Sequence, residues 1–190
     1  MMTPSIQTFI DKIMRCENTT TRQIAFHEAG HRFFWGITFP EIKTKYSVVD
    51  GLPLVIRKSG AHDLDLENMT VEDVSRYTYI KLGGIASEMV MFGIENDAEA
   101  IADFVSNDFF ADTPTLDWKD DAEYGGDISD AITLIRSKTN PNPDSVKLNF
   151  KIVLQSCIKI ILENKEQFDK ECADAMNLFV LWKNRGRWHL

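Results

Sequence analysis

The chain has 190 residues, 44% of them hydrophobic and 26% charged, the balance of a globular protein with one buried core, which excludes a disordered or fibrous class. Its formal net charge of -8 repels a phosphate backbone and argues against a nucleic-acid partner. Apolar runs such as 152–154 and 158–162 are interrupted by charged or polar residues well before the ~20 apolar residues a bilayer crossing needs. With no basic and then apolar leader at the N-terminus, the expectation is a cytoplasmic protein with no membrane partner.

Apolar residues at Ile6, Phe9, Ile10 and Ile13 follow the i, i+3, i+4, i+7 spacing of a helix over 5–15. Asn18 to Thr21 supplies side-chain oxygens that cap a second helix, from Arg22 to about Trp35, with Gly36 as its stop. Two short β-branched runs, Tyr46 to Val49 and Leu54 to Ile56, flank Asp50-Gly51 and read as a β-hairpin. Residues 59–69 are polar loop. Thr70 and Asp73 form a capping box for a helix that runs through Met91 and ends at Gly93. A helix over 96–107, an acidic loop over 109–123, a helix from Ile128 to about Ser137 and a break at Asn140-Pro141-Asn142-Pro143 follow. From Ser145 a long helical stretch, broken near Asn164, reaches about Trp182, leaving a frayed tail on which Trp188 can dock. Cys16, Cys157 and Cys172 are too widely and irregularly spaced for a disulfide scheme or a C-x-x-C metal pair.

The chemistry lies in Ala25-Phe26-His27-Glu28-Ala29-Gly30-His31. Residues four apart on a helix stand one turn above one another, so the imidazoles of His27 and His31 can share one tetrahedral zinc ion, while Glu28 is placed to act as general base on a water. Ile24, Phe33 and Phe34 supply the apolar flank that buries such a helix. Two histidines leave a hydrolytic zinc site short of its usual third protein ligand. A metzincin would need Gly and His where this chain has Phe34 and Ile37, so that class is excluded. His62, His189, Glu88 and the acidic residues between Asp108 and Asp130 remain as candidates.

In order, the chain carries His27 to His31, then Leu82-Gly83-Gly84-Ile85-Ala86-Ser87-Glu88-Met89-Val90-Met91-Phe92-Gly93, then Gly125-Gly126-Asp127-Ile128. This series resembles the peptidase domain of the FtsH-type ATP-dependent zinc metalloproteases. That family has a helix reading HEAGH, a second reading LGG-x-x-A-E-E-x-x-FG, and a glycine followed by an Asp that opens another helix. The stretch Ile160-Ile161-Leu162-Glu163-Asn164-Lys165 is similar to the family's C-terminal helix.

The resemblance implies a mainly α fold, a helical zinc-peptidase domain with a short β-hairpin or small sheet. It implies one domain over 1–190 with an insertion at 94–124. It makes Asp127 the third zinc ligand, against the plainer role of helix N-cap. Glu88 becomes the group that orients a ligand imidazole, against a packing or surface glutamate. The acidic residues Asp117, Asp120, Asp121 and Glu123 are expected to be a solvated loop.

The chain departs from the family in having Gly126 before Asp127, a long connection from Gly93 to Gly125, and no G-x-x-x-x-G-K-[ST] phosphate loop or membrane anchor. The expected activity is therefore a soluble zinc-dependent endopeptidase acting on flexible or unfolded polypeptides, supplied by a delivery or ATPase partner. Homo-oligomer formation is left open. The hairpin over 46–56 is expected either to offer a strand edge to an extended substrate or to be purely structural. The competing reading is a catalytically silent relative that works as a binding or regulatory module.

Overall fold

Thr20 fixes the start of the helix that carries the HEAGH run. Its hydroxyl accepts from the Gln23 N–H and the Gln23 side chain answers the Thr20 N–H, a reciprocal capping box. The computed structural model describes residues 8–10, 20–49, 51–57, 69–112, 125–139 and 141–188. Helix α1 (Thr21–Thr38) runs past Gly36, the expected stop, and ends at Phe39, because the following Pro40 disfavours helical backbone at the residue before it. Phe39 accordingly sits at φ -135°, ψ 69°. Of the helix expected over 5–15, Thr8, Phe9 and Ile10 are described; they are helical, and Phe9 and Ile10 are buried.

Strands β1 (Thr44–Val49) and β2 (Leu52–Arg57) pair antiparallel with Val49 opposite Leu52 and Tyr46 opposite Val55. The two-residue connection needs a left-handed backbone, which Gly51 supplies at φ +84°. Helix α2 (Val71–Phe92) opens on the expected Thr70–Asp73 capping box and closes on Gly93 at φ +68°. After a single 3₁₀ turn over Glu95–Asp97, α3 (Ala98–Phe109) buries Ile101, Ala102 and Val105 in the core. The expected insertion thus contributes core helix in its described part; residues 113–124, with Asp117, Asp120, Asp121 and Glu123, lie outside the described residues.

Helix α4 (Gly125–Lys138) begins three residues earlier than expected, which places Asp127 inside its first turn. Helices α5 (Pro143–Glu163) and α6 (Lys165–Asn184) break at Asn164, as the sequence indicated. Asn142 caps α5 through the Asp144 N–H, and Pro143 sits where no N–H is needed. Trp188 docks as expected, buried edge-on against Phe179.

Helix α1 packs chiefly on α2 and α6, α2 also packs on α4 and α5, and the hairpin lies against α1. Among the described residues the result is a mainly helical fold with a two-stranded sheet, and none of their helices is long and apolar enough to cross a membrane. The crossing of α1 and α2 is made by backbone. A Cβ on Gly30 would lie 2.2 Å from the Gly83 carbonyl oxygen, and one on Gly83 would meet the Phe34 ring at 2.5 Å. Ser87 locks the crossing by hydrogen bonding to the Phe26 carbonyl at 2.6 Å.

Candidate metal centre

His27 and His31 project from adjacent turns of α1, with ring centroids 4.6 Å apart and planes at 79°. Their Nε2 atoms approach to 2.9 Å. Asp127, on the first turn of α4, brings Oδ2 to 3.2 Å from His27 Nε2 and 2.9 Å from His31 Nε2. Three potential ligand atoms from two helices therefore form a triangle with edges of 2.9–3.2 Å. A tetrahedral zinc ion with bonds of ~2.0–2.2 Å sets its ligand atoms about 3.3 Å apart. The donor set fits such an ion with only slight expansion.

Both imidazoles are oriented from behind. His31 Nδ1 lies 2.7 Å from the Ile80 carbonyl, which can only accept, so Nδ1 carries the proton and the Nε2 lone pair faces the cluster. His27 Nδ1 lies 3.3 Å from Glu88 Oε2, the carboxylate–histidine arrangement that presents the opposite nitrogen to a metal. Glu88 is fully buried, and its Oε1 has no hydrogen-bond partner among the described residues. The room for His27 comes from Gly84, where a Cβ would sit 2.6–2.9 Å from three atoms of the imidazole.

Three electron-rich atoms pointed at one another repel unless positive charge lies among them. In the metal-free protein, protons supply it. Burial works to lower the His27 pKa, but the charges and hydrogen bonds of Glu88 and Asp127 outweigh it and hold the imidazole well above its ordinary value. Burial would likewise raise the Asp127 carboxyl, yet His31, His27 and Lys81 together hold it well below the usual carboxylate range. The same atoms that share protons are those a divalent cation would replace them on.

Glu28 stands beside the cluster, with a carboxylate oxygen and the histidine nitrogens all within 4.8 Å of one another. Burial pushes its carboxyl up, opposed by the two histidines. Its Oε2 accepts from the Val55 N–H at 2.7 Å. Because that N–H is spent on Glu28, Val55 and Tyr46 form a non-hydrogen-bonded pair, and Pro53, Val55 and Arg57 turn their backbone polar groups to the outer edge of β2. Pro53, which has no N–H, occupies the phase in which a proline disturbs no ladder bond. This edge forms one wall of a cleft of about 350 Å³ that opens onto His27, Glu28, His31 and Asp127, its apolar sides including Ile24, Trp35 and Tyr77.

All five side chains singled out in the sequence, His27, Glu28, His31, Glu88 and Asp127, thus meet in one place. His62 and His189 lie outside the described residues. Sequence reasoning missed three contributors. Lys81 hydrogen bonds Asp127; its signal was a charged residue on the stripe shared by Gly84 and Glu88. Val55 and Ile80 act through backbone atoms, which no residue type announces. A further network, in which Glu171 of α6 accepts from both Arg32 and Tyr46, fastens β1 to the rear of α1.

Fold and cluster together describe a mainly helical chain with a buried centre of two histidines and three carboxylates beside a strand-walled cleft. Comparison with known proteins finds no matching family model, no similar curated protein and no similar solved structure.

Proposed function

We propose that this chain is a zinc-dependent endopeptidase of the FtsH peptidase type that hydrolyses flexible or unfolded polypeptides. The observation that carries the reading is the convergence of His27 Nε2, His31 Nε2 and Asp127 Oδ2, with both imidazoles held from behind by Ile80 and Glu88. His27, His31 and Asp127 would hold the ion, and Glu88 would fix the ring of His27. Bound zinc would supply Lewis acidity, acidifying water and polarising a carbonyl. Glu28 takes the proton from the attacking water and returns it to the leaving amine.

The outer edge of β2 supports a polypeptide substrate. With the Val55 N–H taken by Glu28 and no N–H on Pro53, it presents the carbonyls of Pro53 and Val55 along the cleft, acceptors to which the N–H groups of an extended peptide can bond with little demand on sequence. Main-chain pairing of this kind needs an extended segment free of structure, which is why a delivery or ATPase partner belongs to this proposal.

Metal analysis and proteolysis test it together. The purified protein is expected to hold one zinc ion per chain, lost in His27→Ala and weakened in Asp127→Ala. Glu28→Gln should keep the metal while casein cleavage falls by roughly 10²–10⁴-fold, the scale of a general base. Zinc retained with equal cleavage by wild type and Glu28→Gln would remove catalysis by this site and leave a metal-holding binding module.

A further inference from the structure

The two oxygens of Asp127 have different partners. Oδ2 faces the two histidine nitrogens, whereas Oδ1 accepts from Lys81 Nζ at 2.9 Å. The ammonium also reaches Asp130 Oδ2, one turn further along α4, at 2.7 Å. Lys81 comes from α2, immediately before Leu82-Gly83-Gly84, so the helix that makes room for His27 also reaches the third carboxylate. Its side chain is one-quarter exposed and lines the cleft.

A carboxylate can bind a cation through one oxygen or through both. A hydrolytic site needs one position left for water and substrate, and a second bond from the same Asp would compete for that position. We propose that Lys81 is a positioning residue that restricts Asp127 to ligation through Oδ2, and so keeps a coordination position of the metal open. By occupying Oδ1 the ammonium holds that oxygen away from the histidine nitrogens, and its charge makes Asp127 a weaker donor, leaving the ion more electrophilic. Asp130 holds the ammonium from the far side and touches none of the ligand atoms. This role rests on the metallopeptidase reading above.

Cobalt(II) in place of zinc provides the readout, because its visible absorption weakens as coordination rises from four to five. The full chain is loaded with cobalt alone, and its spectrum is compared across wild type, Lys81→Met, Lys81→Arg and Asp130→Asn. Lys81→Met is expected to bind cobalt with a several-fold weaker visible band, and casein cleavage by the zinc form should fall about 10–100-fold, as for other groups that orient metal ligands. Lys81→Arg should restore the wild-type band, and Asp130→Asn should never lose it. A folded Lys81→Met protein with the wild-type spectrum overturns the role given to Lys81. So does an equal change in Asp130→Asn, which would make Lys81 a clamp between α2 and α4. A wild-type chain that binds no cobalt defeats the metal reading itself, and this role with it.

Discussion

Adding one methyl group at Gly84 places a Cβ 2.6 Å from Cε1 and 2.7 Å from Nε2 of His27. Carbon contacts are comfortable at ~3.5 Å or more, so the imidazole must retreat by roughly 1 Å. Metal–ligand distances tolerate only about 0.2 Å, and Glu88 holds the ring from its other nitrogen. In the metal-free protein the ring can swing clear of the methyl; with a metal bound it must return. The overpacking penalty of about 1–3 kcal/mol then falls on binding rather than on folding, which weakens zinc affinity by roughly 5–150-fold. Competition with a chromophoric chelator measures the affinity, and thermal unfolding of the metal-free protein measures the fold. Gly30→Ala provides the contrast: its Cβ meets the Gly83 carbonyl oxygen at 2.2 Å, where only backbone could yield, so stability should fall with or without metal. A wild-type dissociation constant in a folded Gly84→Ala protein would refute the reasoning.

Two further expectations concern charge. Because burial is outweighed by Glu88 and Asp127 and the His27 pKa is held well above its ordinary value, a metal that binds through its Nε2 would have to displace a proton, and its apparent affinity should fall as pH is lowered. By the same sign, His27 stabilises the metal-free fold below its unfolded pKa of about 6.5 and loses that contribution as pH rises through the folded value. Calorimetric titration at neutral pH in two buffers of unequal ionisation enthalpy should give different heats; identical heats would rule out proton release. Glu171→Gln weakens the bonds from Arg32 and Tyr46. Charged hydrogen bonds contribute ~1.5–3 kcal/mol, reduced here to about 1–2 by the partial exposure of Arg32. Melting should drop by about 2–8 °C while zinc affinity stays unchanged, and a loss of affinity would show that this network reaches the centre.

The features legible in the sequence are those that depend on residue type at fixed spacing. The capping box at Thr70 and Asp73, the left-handed stop at Gly93, the hairpin across Gly51 and the break at Asn164 are local chemistry and stand where they were read. Boundaries moved where a neighbour outweighed propensity. Gly36 was overridden by Pro40, and α4 starts at Gly125 with Asp127 already in its first turn. The histidine pair was visible because i, i+4 spacing is itself a geometry. Lys81 was not, since its role depends on which helix passes beside α2, and that is decided by packing among residues far apart in the chain. The glycines at positions 30, 83 and 84 were legible as a resemblance, but their physical reason appears only when two backbones are seen to touch.

The bond from the Val55 N–H to Glu28 bears on how this sequence can drift. A carboxylate anchored to a main-chain group is indifferent to the side chain at that position, so substitutions along β2 leave the anchor in place as long as the strand keeps its phase. Proline at position 55 is the one replacement that deletes the N–H outright, and Pro53 shows that the strand accepts proline in that phase. Gaining or losing one residue in the hairpin turn would instead exchange inward and outward backbone groups along the whole strand. The hairpin is therefore free to vary in composition and constrained in length, a pattern that counting residue identities would mistake for a dispensable loop.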